Sequence, residues 1–378
     1  MTRPDYINFL HSKRKQQRAA GFDVSPDQIN PTLFPFQRDC VRWACKLGKA
    51  ALFEERGLGK TIQELEWARQ VVQHTGGKVL ILAPLAVAFQ HIDEAARFGY
   101  ELTYCESGAD VGDHSIVITN YERLKDFNAD EFIGVVLDES SILKSIAGAT
   151  KQYILDAFWH TPYKLAASAT PAPNDHTELG NHSEFLGAMT GKEMLARWFI
   201  NDLGNTSEYR LKKHAAKDFW RWVTSWAVCL SHPRDLGAEY DAQGYDLPAL
   251  HIHEHDIGMT DETRARVYGE GRLIADGRPS STSLAKVKRE SMAERVAVAR
   301  AIVDGLPAGE SVILWCDTND EADALMAAFP DATEVRGDHS QLVKQTRLKA
   351  FTHGQFKRII TKADIAGMGL NWQHCAYQ

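Results

Sequence analysis

A Gly-Lys-Thr triplet between a strand and a helix commits the chain to one local geometry. Residues 54–61 read Glu54-Glu55-Arg56-Gly57-Leu58-Gly59-Lys60-Thr61, after an apolar Ala50-Ala51-Leu52-Phe53 run and before a helical pattern. The two glycines let the backbone turn so that successive N–H groups converge on an anion, and the following helix adds the positive end of its dipole. In such a loop Lys60 reaches the β- and γ-phosphates and Thr61 ligates Mg²⁺. The strict pattern wants a further glycine where Glu54 stands, yet strand, loop and helix follow in the order the mechanism requires. Ile62, Leu65, Ala68, Val71 and Val72 fall at helical spacing, and Gly76-Gly77 end the helix.

A phosphate loop drives chemistry only with a second strand that ends in acids. Gly134-Val135-Val136-Leu137-Asp138-Glu139 is a buried-type apolar run closing on two carboxylates. In that role Asp138 holds Mg²⁺ through water, and Glu139 orients and deprotonates the attacking water. Alone, such a pair reads as a solvated acidic turn. Set about 80 residues after a phosphate loop, it reads as the second half of a nucleotide-hydrolysing site.

Short apolar runs at 78–83, 115–119, 135–137 and 164–168 alternate with helical or loop segments through the first 190 residues, the βαβ signature of a mostly parallel sheet. The pattern returns after about residue 290, with runs at 311–316 and 358–361, so a second α/β unit begins there. Between them, residues 190–245 are basic and rich in tryptophan, with Trp198, Trp220, Trp222 and Trp226, and helical periodicity dominates. Two readings stand: a helical insertion that touches a partner or nucleic acid, or a helical pair packing its aromatics on the sheet. Lys13, Arg14, Lys15 and Arg18 cluster near the N-terminus and read as a solvated helix face before a phosphate-binding one. The polar stretch Gly277 to Ser283 reads as a loop.

Composition narrows the class of function. No apolar run approaches the ~18 residues of a membrane span and the N-terminus lacks a signal-peptide core, so a cytoplasmic protein with no membrane partner is expected. Six scattered cysteines without a Cys-x-x-Cys pair read as reduced, mostly buried thiols. His251, His253 and His255 alternate along an apparent strand, and without partners at ligand spacing they read as an exposed strand face rather than a metal face. A net charge of −7 means that any nucleic-acid contact comes from local geometry.

In order along the chain these stations resemble the superfamily 2 helicase-type ATPases, and within them the SNF2-like branch, most of all its compact bacterial and phage members. Leu33-Phe34-Pro35-Phe36-Gln37 is similar to the stretch before motif I whose glutamine reads adenine, and Glu55 to Thr61 to motif I itself. Leu82-Ala83-Pro84-Leu85 resembles motif Ia, and Ile118-Thr119-Asn120-Tyr121-Glu122 a following motif that faces DNA. Asp138-Glu139-Ser140-Ser141 resembles motif II, Ser168-Ala169-Thr170-Pro171 with Asn174 motif III, and Gly367-Met368-Gly369-Leu370-Asn371-Trp372-Gln373 motif V.

The resemblance implies an α/β fold of two RecA-like parallel-sheet lobes of the P-loop type, with a helical insertion and a second lobe incomplete at its C-terminus. The expected divisions are a basic arm over 1–30, lobe 1 over 31–190, the tryptophan-rich helical insertion over 191–245, a linker over 246–290, and a partial lobe 2 over 291–378. It implies ATP and Mg²⁺ as cofactors: Gln37, Gly57, Leu58, Gly59, Lys60 and Thr61 bind ATP, Thr61 and Asp138 hold the metal, and Lys60, Asp138 and Glu139 carry catalysis. Ser168, Thr170 and Asn174 then couple the nucleotide to DNA, which Pro84, Leu85, Thr119, Asn120, Gly367, Gly369 and Asn371 touch. The implied activity is an ATP-driven motor on duplex DNA in a bacterial cell or phage-infected host. The alternatives are a strand-separating DNA or RNA helicase and a catalytically incomplete ATP- and DNA-binding module. Two departures stand out. Ser140-Ser141 occupy positions where the family often has a histidine that couples motif II to motif III, and the sequence stops before motif VI, whose arginines a partner or a further C-terminal segment would supply.

Overall fold

The structure is a computed structural model that describes residues 19–144, 149–202, 205–240, 245–246, 249–258, 260, 281–367, 370 and 372–378. The chain divides into two compact units, Met1–Pro248 and Ala249–Gln378.

The first unit opens with α1 (Pro35–Leu47), β1 (Lys49–Glu54), α2 (Lys60–Thr75), β2 (Lys78–Ala83), α3 (Leu85–Phe98), β3 (Thr103–Tyr104) and β4 (Ile116–Asn120). It continues through β5 (Phe132–Leu137), α4 (Ala149–Ala157), β6 (Tyr163–Ser168), α5 (Leu179–Leu186), α6 (Gly191–Trp198), β7 (Phe199–Asp202), β8 (Asn205–Leu211), α7 (Ala216–Val223) and β9 (Ala227–Leu230). Seven of these strands form one sheet in the order β3-β4-β2-β5-β6-β1-β9, and every pairing is parallel.

Parallel strands need covering on both faces, and the strands here are apolar on both. Alternation along each strand sends Ala51, Phe53, Leu80, Leu82, Val135 and Leu137 into one cluster and Ala50, Leu52, Val79, Ile81 and Val136 into the other. The second cluster packs against Phe36 and Val41 of α1 and Ile62, Leu65 and Ala68 of α2. The first packs against Phe185, Met194, Trp198, Phe219 and Trp222 from α5, α6 and α7. Gly76 ends α2 with φ +69, its N–H donating to the Val72 carbonyl, as the glycine pair requires.

Residues 191–245 differ from the helical insertion that their periodicity suggests. They carry the antiparallel β7–β8 hairpin and then β9, the edge strand beside β1. Trp198, Trp222 and Trp226 are buried, and Trp198 stacks on Trp222 with ring centroids 4.7 Å apart. These three tryptophans therefore pack on the sheet, while Trp220 is left 39% exposed. The short run Ala227-Val228-Cys229-Leu230 is hard to see after a tryptophan-rich helix, which is why the strand is missed from periodicity alone.

The second unit contains α8 (Ser281–Glu290), α9 (Met292–Asp304), β10 (Val312–Trp315), α10 (Asn319–Ala328), β11 (Thr333–Val335), α11 (Gln341–Thr352), β12 (Arg358–Thr361) and α12 (Ala363–Ala366). Its strands pair in parallel in the order β10-β12-β11, and Ile313 N donates to the Tyr377 carbonyl at 3.0 Å. Ser281 to Ser283, expected in a loop, begin α8 instead; residues 277–280 and the basic cluster of Lys13 to Arg18 lie outside the described residues. His251, His253 and His255 are exposed in a stretch without regular secondary structure, so the expected strand is absent there. Cys40, Cys45, Cys105 and Cys316 are buried free thiols. No helix among the described residues is long and apolar enough to cross a membrane.

β1 closes on an ionisable group in the core. Glu54 is fully buried with Gln63 Nε2 donating to its Oε2 at 2.7 Å. Burial pushes its carboxyl up to about 7, against the opposing pull of that hydrogen bond and of Lys60.

Two measurements test this packing. Trp226→Ala removes a fully buried ring beside Phe53 and Trp222 and is expected to cost about 3–5 kcal/mol in urea unfolding; a loss below about 1 kcal/mol would show that β9 is not integral to the sheet. For Glu54 the fold favours the neutral acid, so its contribution is fully present below the unfolded value of 4.5 and is lost as pH rises through about 7. Glu54→Gln is therefore expected to gain stability relative to the parent between about pH 5 and about pH 8, read as a widening gap in unfolding midpoints.

Candidate nucleotide site

The parallel register decides where the chemistry collects. Phe53 lies opposite Ser168, Leu137 opposite Ala166, Leu82 opposite Leu137, and Ala83 opposite Asn120. The C-terminal ends of β1, β6, β5, β2 and β4 therefore share one edge, where ligands of open α/β sheets bind. The phosphate loop, Ser168, Asp138-Glu139, Pro84-Leu85 and Asn120 all stand there.

Gly57 and Gly59 adopt φ +85 and +79, left-handed conformations that side chains disfavour, and Gly59 is the N-cap of α2. A Cβ on Gly59 would come within 2.4 Å of Gln37 Nε2. Gln37 is buried in the first turn of α1, its Oε1 accepting from Phe34 N at 2.9 Å and its Nε2 donating to the Leu58 carbonyl at 2.8 Å. Both ends of the amide thus shape the loop, and contact with an adenine would exchange one of these bonds. Leu58 anchors the loop in the core, while Lys60 and Thr61, half-buried, begin α2. Lys60 Nζ donates to the Glu54 and Glu55 carbonyls at 2.9 and 3.3 Å. The ammonium rests on its own loop, where phosphate oxygens could replace neutral acceptors.

At the end of β5, Asp138 N donates to the Leu82 carbonyl at 2.9 Å, which extends the ladder to the acid itself. Asp138 is 5% exposed; burial and the neighbouring Glu64 push its carboxyl up to about 7, with His91 pulling the other way. Glu139 follows with φ +50, the only positive φ outside glycine among the described residues. Such a conformation costs about 1–3 kcal/mol and collects at functional sites. Burial and Asp138 raise the Glu139 carboxyl, while Lys60 and Arg56 act in the opposite sense. Ser168 Oγ makes a long 3.5 Å contact to Glu139 Oε2 and accepts from Thr170 N at 3.0 Å, so motifs II and III meet directly.

Sequence reasoning missed three groups behind Asp138. His91 Nε2 lies 3.3 Å from Glu64 Oε2 and 3.5 Å from Asp138 Oδ2, and Tyr121 OH donates to the Asp138 backbone carbonyl at 2.6 Å. All are buried. The one available signal was an ionisable residue in each helix that follows a motif loop, Glu64 in α2 and His91 in α3, and that signal is weak by itself. Ser140, in the stretch that resembles motif II, also has a buried partner: its Oγ shares a 3.0 Å hydrogen bond with Nε2 of His182, which α5 supplies. Both are fully buried, and burial lowers the His182 imidazole to about 4, so it is neutral.

The residues expected on DNA separate. Pro84 and Leu85 are half-buried at the start of α3, and Thr170 and Asn174 are exposed, Asn174 Nδ2 donating to Glu178 Oε1 at 2.7 Å. Thr119 corrects the expectation, because its side chain is fully buried inside β4 and cannot reach a phosphate. Asn120 is buried as well, accepting from Tyr104 OH at 3.1 Å and donating to Glu122. In the second unit Gly367 closes α12, where a Cβ would meet the Ala363 carbonyl at 2.4 Å; Gly369 and Asn371 lie outside the described residues.

Comparison with known proteins bears on the same stretch. Residues 36–221 match the family described as the SNF2-related domain, and this stretch carries the loop, both acids and Ser168. The mouse (Mus musculus) DNA annealing helicase and endonuclease ZRANB3 is 28% identical over 181 residues, 43% of this chain and 17% of that protein. The Drosophila melanogaster chromatin-remodeling ATPase INO80 is 25% identical over 215 residues, 48% of this chain and 13% of that protein. These matches span less than a fifth of each relative's length. Among solved structures, the Sulfolobus solfataricus SWI2/SNF2 ATPase core in complex with dsDNA aligns at 16% identity with a TM-score of 0.47, covering 90% of this chain and 80% of that one. The SNF2-related match thus covers residues 36–221, just under half of the chain.

Proposed function

We propose that this chain hydrolyses ATP with Mg²⁺ and uses the turnover to move along duplex DNA. The reading rests on one observation above the others: Lys60, Asp138, Glu139 and Ser168 stand at the ends of neighbouring parallel strands. The site suits the charge it is proposed to take. Lys60 Nζ rests on neutral carbonyls, and a buried Asp138, its carboxyl raised by burial and by Glu64, gains from a nearby cation. Thr61 and Asp138 would hold Mg²⁺, which when bound supplies charge neutralisation on the phosphates. Lys60 and the Gly57 to Gly59 backbone grip the β- and γ-phosphates, and Glu139, its carboxyl raised by burial and by Asp138, accepts the proton of the attacking water. Ser168 and Thr170 carry the state of Glu139 toward the exposed Thr170–Asn174 loop.

Movement on duplex DNA is the finer part of the proposal. It draws on the SNF2-related match and on relatives whose names describe a DNA annealing helicase and a chromatin-remodeling ATPase. Backbone contacts would give little sequence preference and a steep salt dependence.

ATP turnover is expected to rise with duplex DNA above the rates without polymer or with RNA, and Lys60→Ala is expected to abolish it. Triplex displacement without duplex opening would then support translocation, whereas strand displacement would favour an unwinding helicase. ATP binding without turnover on any polymer would favour a binding module. Glu139→Gln is expected to lower kcat by about 10²-fold or more while ATP affinity stays within a few-fold, measured by steady-state turnover and a fluorescent ATP analogue; an unchanged kcat would remove Glu139 as the base.

A further inference from the structure

Behind the proposed metal acid lies a fully buried imidazole that the reaction itself does not use. His91 comes from α3, Glu64 from α2 and Asp138 from the end of β5, and all three are shielded from solvent. His91 Nδ1 faces the Val87 carbonyl one turn back at 3.1 Å, an acceptor that fixes a proton on that nitrogen. Nε2 faces two carboxylates, Glu64 Oε2 at 3.3 Å and Asp138 Oδ2 at 3.5 Å. Nε2 therefore stands between two carboxyl oxygens supplied by two different elements. A cluster in this place needs a reason, because apolar side chains of similar volume would pack the same space without desolvating three ionisable groups.

We propose that Glu64 and His91 are positioning residues for Asp138: Glu64 fixes the ring of His91, and His91 fixes one carboxylate oxygen of Asp138 so that the other is presented to Mg²⁺. The idea rests on the nucleotide site proposed above and adds two residues that no motif contains. The backbone side of the same acid is held independently, by Tyr121 OH on the Asp138 carbonyl at 2.6 Å, so the His91 ring bears on the carboxyl group alone. Groups that orient a metal ligand typically contribute 10–100-fold in metal affinity when removed, which sets the scale of the effect.

The test separates metal presentation from nucleotide binding. Affinity for a fluorescent ATP analogue is measured on the full chain without divalent metal and across a Mg²⁺ titration, for the parent, His91→Gln, Glu64→Gln and the double variant, with thermal melting to follow folding. His91→Gln is expected to raise the Mg²⁺ concentration for half-maximal binding about 10-fold or more, with metal-free affinity within about two-fold of the parent. Glu64→Gln is expected to move the same quantity in the same direction, and the double variant no further than His91→Gln, because the two act through one contact. An unchanged Mg²⁺ requirement in a folded His91→Gln overturns the proposal, as does an equal loss of binding with and without metal, the mark of a merely structural role. If His91→Gln does not fold, Glu64→Gln, which keeps the ring, decides by the same Mg²⁺ measurement. The three ligand atoms lie within 4.8 Å of one another, near enough to share a cation of their own. Stoichiometric zinc or another transition metal in the purified parent, lost in His91→Gln, would overturn the brace in favour of a metal. A parent chain that binds the analogue but gains nothing from Mg²⁺ removes the role proposed for Asp138 and the brace with it, whereas a parent with a normal Mg²⁺ response beside an unaltered His91→Gln removes the brace alone.

Discussion

Parallel pairing of β4, β2, β5, β6 and β1 is the constraint from which the rest of the first unit follows. Five strands that run the same way deliver five successive loops to one edge, and neighbouring strands about 4.8 Å apart fix how far those loops lie from each other. β1 and β5 are separated by β6 alone, so the phosphate loop and the Asp138-Glu139 pair begin about 10 Å apart across the sheet. That span suits a triphosphate and its metal, with Lys60 on a long flexible stem reaching from one side and short carboxylates fixed on the other. Two-sided burial holds the spacing rigid. Each strand is locked by apolar alternation into clusters above and below, and a register slip of one residue would exchange the two faces.

Polar groups enter this core chiefly beneath the reactive edge. Glu54, Gln63, Glu64, His91, Asp138, Ser168 and His182 are all buried, and they lie at strand ends or on the helices that cover them. Each carries a desolvation cost, and most are compensated by a named partner: Gln63 for Glu54, His91 for Glu64 and Asp138, Ser140 for His182. Such partners restrict the rotamers of the groups they hold, at a desolvation cost that apolar side chains would not carry.

Much of this was legible in the sequence because long-range order here grows from local signals. The apolar runs gave β2 and β12 at their observed limits, and Gly76 ended α2 where the pattern stopped. Features set by tertiary packing were not legible. β9 is four residues long and becomes a strand because β1 offers an unpaired edge, information that no window around Ala227 contains. Thr119 lies at a strand end that resembles a DNA-facing motif, yet a central parallel strand is covered on both faces, so the hydroxyl is interior. Glu64 and His91 sit in helices whose periodicity reports only a buried face, and their pairing across 27 residues depends on how α2 and α3 meet over the sheet. Gln37 was found through its place before the loop, but its two hydrogen bonds to Phe34 and Leu58 follow from helix-start geometry: proline at the first position and glutamine two residues on, reaching back to the cap.

Glu139 ties these threads together. Its left-handed backbone lies between two held neighbours: Tyr121 OH donates to the Asp138 carbonyl, and the Ser140 hydroxyl pairs with His182. Relaxing Glu139 to an ordinary conformation would have to break one of these bonds. Losing the second would leave the buried His182 ring or the Ser140 hydroxyl without its partner, a cost of about 1–3 kcal/mol, similar in size to the strain itself. Ser140, which stands where the resemblance leads one to expect a histidine, is met by a neutral histidine of α5, so the acid loop and the helix after motif III are joined by a buried hydrogen bond.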